Sequence, residues 1–345
     1  MSADKLQNPT LWEAYKLRWK RRRLLWRSFR SRRQLASVVD RTNLIQPDSI
    51  LLFATMRNES ERLPHFLKHY RALGVAHFLI VDNASDDGSS ETLSQQPDVS
   101  VWSTEHSYRG SRFGLDWVTW LQIKYGHGHW CVCVDADELL DYAGSASTPL
   151  GSLTRSLEAK DQPAFGALML DLYPDGPLGE PIARETDTPT GVLTHFDAGP
   201  YRAQRQRPLR NLWVQGGARE RVFFADNPTQ SPTLNKLPLV KWNRRFCYVN
   251  STHSLLPPWL NECYDGPGDK RPCGVLLHTK FLPSIVSKSE TERKRGQHFN
   301  DPAKFGDYYD QIAAGPIMKN DHSERYKGVE SLEKYELISS KDALD

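Results

Sequence analysis

Short apolar runs alternate with segments of helical periodicity between residues 50 and 134. Each run is bounded by polar or small residues, a pattern typical of strands. The segments between the runs have apolar residues three or four positions apart, a pattern typical of helices. The alternation predicts an α/β fold in which a parallel sheet is built with right-handed crossovers. The predicted strands cover residues 50–55, 78–81, 99–102 and 130–134.

Two helices are predicted within this region. Ser60 is the expected cap of the first helix, Pro64 fits its first turn, and Gly74 is its expected end. The second helix leads directly into the strand at residues 130–134. Their apolar positions are Leu63, Phe66, Leu67 and Tyr70 in the first helix and Phe113, Trp117, Trp120 and Leu121 in the second.

Polar turns follow three of the predicted strands, at residues 57–59, 82–88 and 135–138. The carboxyl ends of parallel strands lie at one edge of a sheet, so the three turns can line one pocket. An isolated acidic turn is most often a solvated loop. Three such turns at one edge indicate a ligand site.

The third turn contains two carboxylates, Asp135 and Asp137, after a run that is apolar on both faces. Such a run suits a strand buried inside a parallel sheet. Carboxylates one residue apart can bind one hard divalent cation, which would neutralise the phosphates of a substrate. The chain has no GxGxxG after the first strand and no GxxxxGK[ST] motif, which disfavours dinucleotide binding and P-loop hydrolysis. A bound nucleotide would therefore be held by carboxylate and amide side chains.

The basic charge of the chain is concentrated in residues 11–33, which contain ten Lys/Arg and one acidic residue, Glu13. The other residues include 35 Lys/Arg and 41 Asp/Glu. Contact with an anionic membrane, packing on the chain's own domain and binding to a partner stay open as roles for this helix. Nucleic acid is disfavoured because the rest of the chain is acidic and has no recognition module. The helix has one aromatic stripe, formed by Trp12, Tyr15, Trp19, Trp26 and Phe29.

Composition agrees with a folded protein of one large or two modest domains, since 39% of the 345 residues are apolar and 10% aromatic. No stretch approaches the ~18 apolar residues of a membrane-spanning helix. The five cysteines form no CxxC pair, and residues at the start of the chain do not resemble a signal peptide. We therefore expect reduced thiols and a cytoplasmic location.

The second half of the chain is less regular. Residues 164–172 predict another strand and residues 284–305 a charged helix. Residues 173–273 are rich in Pro and Gly, as expected of acceptor-binding loops. A second basic cluster suits an anionic acceptor or a solvated loop equally well; it consists of Arg202, Arg205, Arg207 and Arg210.

Two segments carry a resemblance to the family 2-like glycosyltransferases of the GT-A fold: FATMRNESERLPHFLKHYRALGVAHFLIVDNASDDGS and WCVCVDADELLD. The most similar branch is bacterial and has the motifs R-N-E, D-N-x-S-x-D-G and D-x-D-E. The match covers residues 50–142. Looser similarities lie at residues 216–223, 236–242, 251–253 and 274–299.

The resemblance implies a GT-A (Rossmann-like) α/β fold, with a mixed, mainly parallel sheet flanked by helices. The N-terminal basic amphipathic helix predicted from residues 11–33 would be added to this fold. The resemblance also implies a domain organisation in which one GT-A domain has two halves and two extensions. These are an N-terminal extension at 1–46, a nucleotide-sugar-binding half at 47–150, an acceptor-binding half at 151–300 and a C-terminal extension at 301–345.

Roles for individual residues follow from the resemblance. Asp135 would lie near the ribose and the metal, and Asp137 would bind Mn²⁺ or Mg²⁺ bridging the donor diphosphate. A late histidine would add a metal ligand, with His278 as first choice and His253 as second. The residues that would contact the nucleobase and ribose are Arg57, Asn58, Glu59, Asp82 and Asn83.

The chemistry of glycosyl transfer needs two further kinds of group. Negative charge grows on the leaving diphosphate, and the basic side chains predicted to stabilise it are Lys280, Arg219 and Arg221. An inverting enzyme also needs a carboxylate that deprotonates the acceptor hydroxyl. The candidates for this base are Glu220 first, then Asp197 and Glu262.

The sequence therefore predicts an inverting, metal-dependent glycosyltransferase of the hexosyltransferase type. It would move a sugar from a nucleotide-diphosphate sugar to a glycan or lipid-linked acceptor in surface polysaccharide synthesis, at the inner membrane face. A nucleotidyltransferase is an alternative, disfavoured because residues 55–58 lack a glycine-rich basic loop. A second alternative, an inactive transferase-like domain that binds membranes or polyanions, is disfavoured by the intact Asp135 and Asp137 pair.

Overall fold

A computed structural model describes residues 9–180, 188–289 and 302–343, with the backbone alone at residues 302–307. The helices in these ranges are α1 (Leu11–Ser31), α2 (Leu63–Ala72), α3 (Ser89–Ser94), α4 (Leu115–Tyr125), α5 (Leu150–Ala159), α6 (Pro189–Val192), α7 (Gly217–Phe223), α8 (Pro302–Ala313) and α9 (Val329–Lys334).

The strands in the same ranges are β1 (Ala36–Val39), β2 (Leu51–Met56), β3 (His77–Asp82), β4 (Val99–Ser103), β5 (Trp130–Cys133), β6 (Glu138–Asp141), β7 (Ala164–Asp171), β8 (His195–Asp197), β9 (Tyr201–Arg205), β10 (Leu212–Gly216), β11 (Asn235–Lys241), β12 (Cys247–Tyr248), β13 (Leu255–Leu256), β14 (Cys273–His278) and β15 (Ser323–Arg325).

One nine-stranded sheet forms the centre of the molecule, in the order β1-β4-β3-β2-β5-β11-β7-β14-β6. Strands β4, β3, β2, β5, β7 and β14 run in one direction, and β1, β11 and β6 run against them. The predicted α/β class, with a mixed, mainly parallel sheet flanked by helices, is confirmed. Strands from residues 47–150 and from residues 151–300 share this sheet, so both ranges contribute to one core.

The central strands are apolar on both faces because both faces of the sheet are covered. Every residue of β3 and β5 is buried, and in β2 only Thr55 is partly exposed. Continuous apolar runs of this kind are typical of parallel strands inside a sheet. The periodicity of the sequence therefore places these strands correctly to within one or two residues at each end.

Two helix starts differ from the sequence prediction. Helix α2 is preceded by Arg62, and Ser60 is not its cap, because the Ser60 N–H donates to the Asp87 carboxylate at 2.9 Å. Helix α4 begins at Leu115, so Phe113 lies in the loop before it. Gly114 separates the two at a φ of 79°, and a Cβ there would lie 2.5 Å from the Thr55 hydroxyl oxygen. Only glycine fits this approach between α4 and β2.

The C-terminal residues pack into the main core, although the sequence predicts a peripheral extension. Leu332, Leu337 and Ile338 are buried there, and the Ser339 hydroxyl bonds both backbone groups of Cys273 at 3.1 Å. Strand β15 also pairs with β8. The charged helix predicted at residues 284–305 lies largely outside the described residues.

The predicted N-terminal helix is present as α1, which starts in a capping box. Thr10 Oγ1 accepts from the Glu13 N–H at 3.2 Å, and Glu13 Oε2 accepts from the Thr10 N–H at 2.8 Å. The helix packs against α4 and a small cluster under residues 247–256, with Leu17 and Leu24 in its buried face. No helix in the described part of the chain has the length and apolar character to cross a bilayer.

Candidate functional site

A cavity of about 460 Å³ opens at the edge of the sheet where the parallel strands end. The turns after β2, β3 and β5 all contribute to its lining, and so does the segment after β14. Its volume lies within the ~300–1,000 Å³ typical of small-molecule sites. Of the predicted site residues, those that line it are Arg57, Asn58, Glu59, Asn83, Asp135, Asp137, Arg219, His253, His278 and Lys280.

Two hydrogen bonds between Asn58 and Asp86 join the first two turns. Asn58 Nδ2 donates to Asp86 Oδ1 at 2.6 Å, and the Asp86 N–H donates to Asn58 Oδ1 at 3.0 Å. Asn58 has a φ of 54°, a left-handed conformation that asparagine tolerates better than most residues. Arg57 joins the same turns, since its Nη1 donates to the Asn83 carbonyl at 2.9 Å. The R-N-E segment is therefore fixed in shape before any ligand binds.

The side chains of Asp82 and Asn83 form hydrogen bonds that stabilise the second turn. Asp82 is 3% exposed, and its carboxylate accepts from the Ser85 hydroxyl and from the Ser85 N–H. Asn83 Nδ2 donates to the carbonyls of Thr104 and His106, each at 3.0 Å. Asn83 lines the cavity, whereas Asp82 is not among its lining residues. The Asp82 carboxylate therefore does not face the cavity, where the predicted contact with the nucleotide would be made.

Asp137 and His278 meet inside the cavity, although one follows β5 and the other ends β14. Asp137 Oδ2 lies 3.2 Å from His278 Nε2. Burial raises the pKa of Asp137, but the charge and hydrogen bond of His278 and the charges of Arg62 and Lys280 outweigh it, so that pKa lies well below its ordinary value. Burial lowers the pKa of His278, and the carboxylates of Asp137 and Asp171 reverse this and raise it.

These donors fit a divalent cation only in part. Within residues 9–180, 188–289 and 302–343, no three His, Cys, Asp or Glu side chains are gathered as for a metal ion. Asp135 is directed instead to Lys236, with Nζ 3.4 Å from its Oδ2. The separation of Asp137 Oδ2 and His278 Nε2 suits two neighbouring ligands of one ion, at ~2.1 Å each. Mg²⁺ is commonly bound by one or two carboxylates together with substrate phosphates and water, so Asp137 fits such a site and His278 is the less typical ligand.

Lys236 is a buried cation at this site that the sequence analysis missed. It lies on β11, 2.8 Å from Glu138, and the side chains of both residues are almost fully buried. Burial lowers the pKa of Lys236, but the carboxylates of Glu138 and Asp135 more than compensate and raise it. The lysine at the start of the largely apolar segment KLPLVKW was the available signal, and it is a weak one.

Further cations face the same cavity from separate elements. Arg62 pairs with Glu59 at 2.7 Å, and Lys288 pairs with the same carboxylate at 2.8 Å. Arg219 on α7 is buried and pairs with Asp171 at the end of β7. Together with Lys236 and Lys280, these side chains line a cavity with a large share of positive charge.

The predicted general base, Glu220, does not line the cavity. It accepts two hydrogen bonds from Arg202 at 2.7 Å each and one from the Ser231 hydroxyl at 2.8 Å. Successive helix residues point about 100° apart, so Glu220 turns away from the cavity while its neighbour Arg219 faces it. The two other candidate bases, and predicted Arg221, are also outside the lining: Asp197 pairs with Arg221 and Glu262 with Arg210.

His253, the second-choice histidine, lines the cavity but is committed to the backbone. Its Nδ1 lies 2.5 Å from the carbonyl oxygen of Asn235. Burial, with the nearby charges of Lys236 and Arg219, lowers the pKa of His253 to about 3. His253 is therefore neutral over the physiological pH range.

Comparisons with known proteins find a distant sequence relative and partial structural matches. No family model matches the chain. A glycosyltransferase family 92 protein of Oryza sativa subsp. japonica is 23% identical over 168 residues, which are 46% of this chain and 27% of that relative. The chain thus spans little more than a quarter of the relative that it matches. The similarity is to a glycosyltransferase, over a limited segment.

Two solved structures align with parts of the chain. The mannosyltransferase PcManGT of Pyrobaculum calidifontis, solved with GDP-Man and Mn²⁺, is 18% identical and has a TM-score of 0.28, covering 45% of this chain and 46% of its own. A 4-diphosphocytidyl-2C-methyl-D-erythritol synthase is 13% identical with a TM-score of 0.23, covering 39% of this chain and 64% of its own. Similarity at this level assigns no role to any residue.

Proposed function

We propose that the cavity binds a nucleotide-diphosphate sugar together with Mn²⁺ or Mg²⁺, and that the protein transfers the sugar to a glycan or lipid-linked acceptor. The observation that carries this proposal is the approach of Asp137 and His278 in a cavity shared with Asn58 and Asn83. The similarity to a family 92 glycosyltransferase supports the same activity.

The charges around the cavity suit a diphosphate. Lys236, Arg219 and Lys280 enter from three different elements, beside the acidic Asp135 and Asp137. A bound divalent ion, held by Asp137 and His278, would act as a Lewis acid toward the leaving diphosphate. The cationic side chains would neutralise phosphate oxygens that the metal leaves uncovered, and they do so most effectively where water is excluded.

The nucleoside would lie along the interlocked first and second turns. Arg57, Asn58 and Asn83 present peptide and amide groups there, and their mutual hydrogen bonds fix the turns before the ligand arrives. Preorganisation of this kind lowers the entropy cost of binding. Asp135, whose side chain is half exposed and lines the same cavity, would contact the ribose.

We place the reaction in the cytoplasm, in surface polysaccharide synthesis at the inner membrane face. The five cysteines are all buried free thiols, as is usual in a reducing compartment. We propose that the enzyme transfers a hexosyl group with inversion. The carboxylate that would deprotonate the acceptor hydroxyl is left unassigned, because Glu220 is bound by Arg202 and Ser231.

Calorimetric titration with UDP, GDP, CDP and dTDP, each with and without Mn²⁺, tests the binding step. One of these nucleotides should bind at least tenfold more tightly with Mn²⁺, and Asp137→Asn should abolish this gain. Asp48→Asn, an exposed carboxylate away from the cavity, is the matched control. Nucleotide binding that does not depend on Mn²⁺, or an Mn²⁺-dependent increase in affinity that persists in Asp137→Asn, would contradict the proposal. The reaction is then tested with sugar nucleotides that contain the nucleotide found to bind. Release of free nucleoside diphosphate is the measured signal, and it distinguishes sugar transfer from nucleotidyl transfer.

A further inference from the structure

The aromatic stripe of α1 is exposed, although the helix itself is docked on the domain. Trp12, Trp19 and Trp26 are 62%, 52% and 59% exposed, and Tyr15 and Phe29 are 49% and 39% exposed. Isolated exposed apolar residues are common on protein surfaces, whereas a contiguous exposed patch marks an interaction site. Three aromatic contacts tie the stripe together: Trp12 with Tyr15, Tyr15 with Trp19, and Trp26 with Phe29.

The exposed stripe lies on the side of α1 away from the domain. At about 100° per residue, the three tryptophans point about 150° away from Leu17 and Leu24, which are buried against the domain. Arg27 adds a polar anchor on the docked side through its ion pair with Asp116 at 2.9 Å. The helix therefore has two apolar faces. The leucine face is used for docking, and of the aromatic stripe Phe29 alone contacts a ring of another described element, Trp120 on α4, at 5.7 Å between centroids.

Basic side chains border the exposed stripe on both sides. Arg23 lies on one side of it and Arg18 on the other, while Lys20 lies between Arg23 and the docked face; all three are exposed. Within residues 9–180, 188–289 and 302–343, none of these three is paired with a carboxylate, in contrast to Arg27. Lys16 and Arg22 lie over the rings of Trp12 and Trp19, at 5.0 and 5.4 Å from their centroids.

This arrangement matches the surface of an anionic bilayer better than it matches other occupants. Tryptophan and tyrosine rings favour the headgroup level of membranes, and basic flanks attract anionic lipids. A second copy of the chain would bring together two helices that each have ten basic residues and one acidic residue in the 11–33 segment. Nucleic acid is disfavoured because the rest of the chain is acidic, with 41 Asp/Glu against 35 Lys/Arg, and has no recognition module.

We propose that α1 lies in the plane of an anionic membrane surface, with its aromatic stripe among the headgroups and its basic side chains on their phosphates. This inference does not depend on the proposed transfer reaction, since it rests on the exposed face of α1 alone. The domain remains attached on the opposite face through Leu17, Leu24 and Arg27.

The same helix is joined to one wall of the cavity. Arg27 Nη2 donates to the carbonyl of Gly110 at 2.8 Å, and Arg112 shares the Asp116 carboxylate with Arg27. Tyr108 and Phe113, from this same loop, line the cavity. Membrane binding through α1 would therefore hold the cavity beside the bilayer, where a lipid-linked acceptor is found. This consequence, unlike the binding itself, rests on the proposed function.

Sedimentation with vesicles tests the binding. The wild-type protein should bind vesicles of equal phosphatidylcholine and phosphatidylglycerol, and bind pure phosphatidylcholine vesicles far more weakly. Combining Arg18→Gln, Lys20→Gln and Arg23→Gln should weaken the partition coefficient on the order of 100-fold. Combining Trp12→Ala, Trp19→Ala and Trp26→Ala should weaken it by a similar factor, and should remove quenching of tryptophan fluorescence by brominated lipid.

Matched triple variants away from α1 provide the controls. Exposed basic residues are replaced in Lys68→Gln, Lys327→Gln and Lys334→Gln, and exposed apolar ones in Val38→Ala, Leu44→Ala and Ile317→Ala. Both controls should bind vesicles like the wild type, and circular dichroism checks that every variant is folded. Failure to bind anionic vesicles, equal binding to neutral ones, or binding unaffected by the α1 variants overturns the proposal. The proposal is also overturned if the wild-type protein does not bind vesicles but self-associates or binds duplex DNA, and the α1 variants lose that self-association or DNA binding.

Discussion

His278 is the register partner of Asp171 on the adjacent parallel strand, and His278 Nδ1 lies 2.7 Å from Asp171 Oδ1. A carboxylate only accepts hydrogen bonds, so Nδ1 bears the proton of this contact. The ring is thereby fixed with Nε2 toward Asp137 and the cavity. A carboxylate behind a ligating histidine is a common means of orienting the ring.

Asp171→Asn should therefore weaken metal binding although Asp171 does not line the cavity. We expect Mn²⁺ affinity in the presence of the bound nucleoside diphosphate to fall ~10–100-fold, because the amide is a weaker acceptor for the Nδ1 proton and can instead donate to Nδ1, which allows the tautomer with the proton on Nε2. Electron paramagnetic resonance of free Mn²⁺ measures this affinity directly. Asp48→Asn should leave it unchanged. An unaltered affinity in folded Asp171→Asn would show that His278 needs no such support.

Lys236→Met should be far more destabilising than Lys241→Met, although both lysines lie on β11 and each has a carboxylate at 2.8 Å. Loss of Lys236 leaves the Glu138 carboxylate buried without its partner, at a cost of ~3–5 kcal/mol. The pair of Lys241 with Glu158 is about half exposed, so its loss should cost less than ~1 kcal/mol.

Urea denaturation at neutral pH measures both changes. Adding Glu138→Gln to Lys236→Met should recover part of the lost unfolding free energy, because the buried charge is then removed. Equal destabilisation by the two lysine variants would contradict the burial argument.

His253 should make the protein less stable in acid. Its native pKa of about 3 lies below the ordinary value of 6.5, so between these values the unfolded state binds a proton that the native state does not. Stability is full above the ordinary value and falls as the pH is lowered through it. At pH 5 this one group should remove about 1–2 kcal/mol of unfolding free energy.

The measurement compares urea denaturation at pH 7.5 and at pH 5 for wild type, His253→Gln and His322→Gln. The difference between the two pH values should shrink in His253→Gln and persist in His322→Gln, whose histidine is exposed. A difference unaffected by His253→Gln would place the acid sensitivity elsewhere.

Leu24→Ala and Trp26→Ala should separate the docked face of α1 from its exposed face. Leu24 is 8% exposed and lies in a small apolar cluster, so its truncation should cost ~2–3 kcal/mol of unfolding free energy. Trp26 is 59% exposed, and its truncation should change stability by less than about 0.5 kcal/mol. Thermal or urea denaturation gives both values. A larger loss in Trp26→Ala would mean that the aromatic stripe, and not the leucine face, holds the helix.

The sequence by itself determined the strands that form the first half of the sheet and the polar turns that follow them. Residues 50–55, 78–81 and 130–134 could be predicted because a strand buried on both faces is apolar throughout, which is a local property of the chain. Since parallel strands end at one edge, the meeting of Asn58, Asn83 and Asp137 in one cavity could be predicted as well.

Only the tertiary structure decided which side chains of the second half reach that cavity and which face of α1 is free. Glu220 and Arg219 are neighbours in sequence, but Glu220 pairs with Arg202 and Arg219 pairs with Asp171, so their side chains lie in different places. Lys236 can be buried because Glu138 from another strand neutralises it. The aromatic stripe of α1 is exposed because the leucine face fits the surface beside α4. Each outcome depends on residues far apart in the chain, whose approach no local pattern encodes.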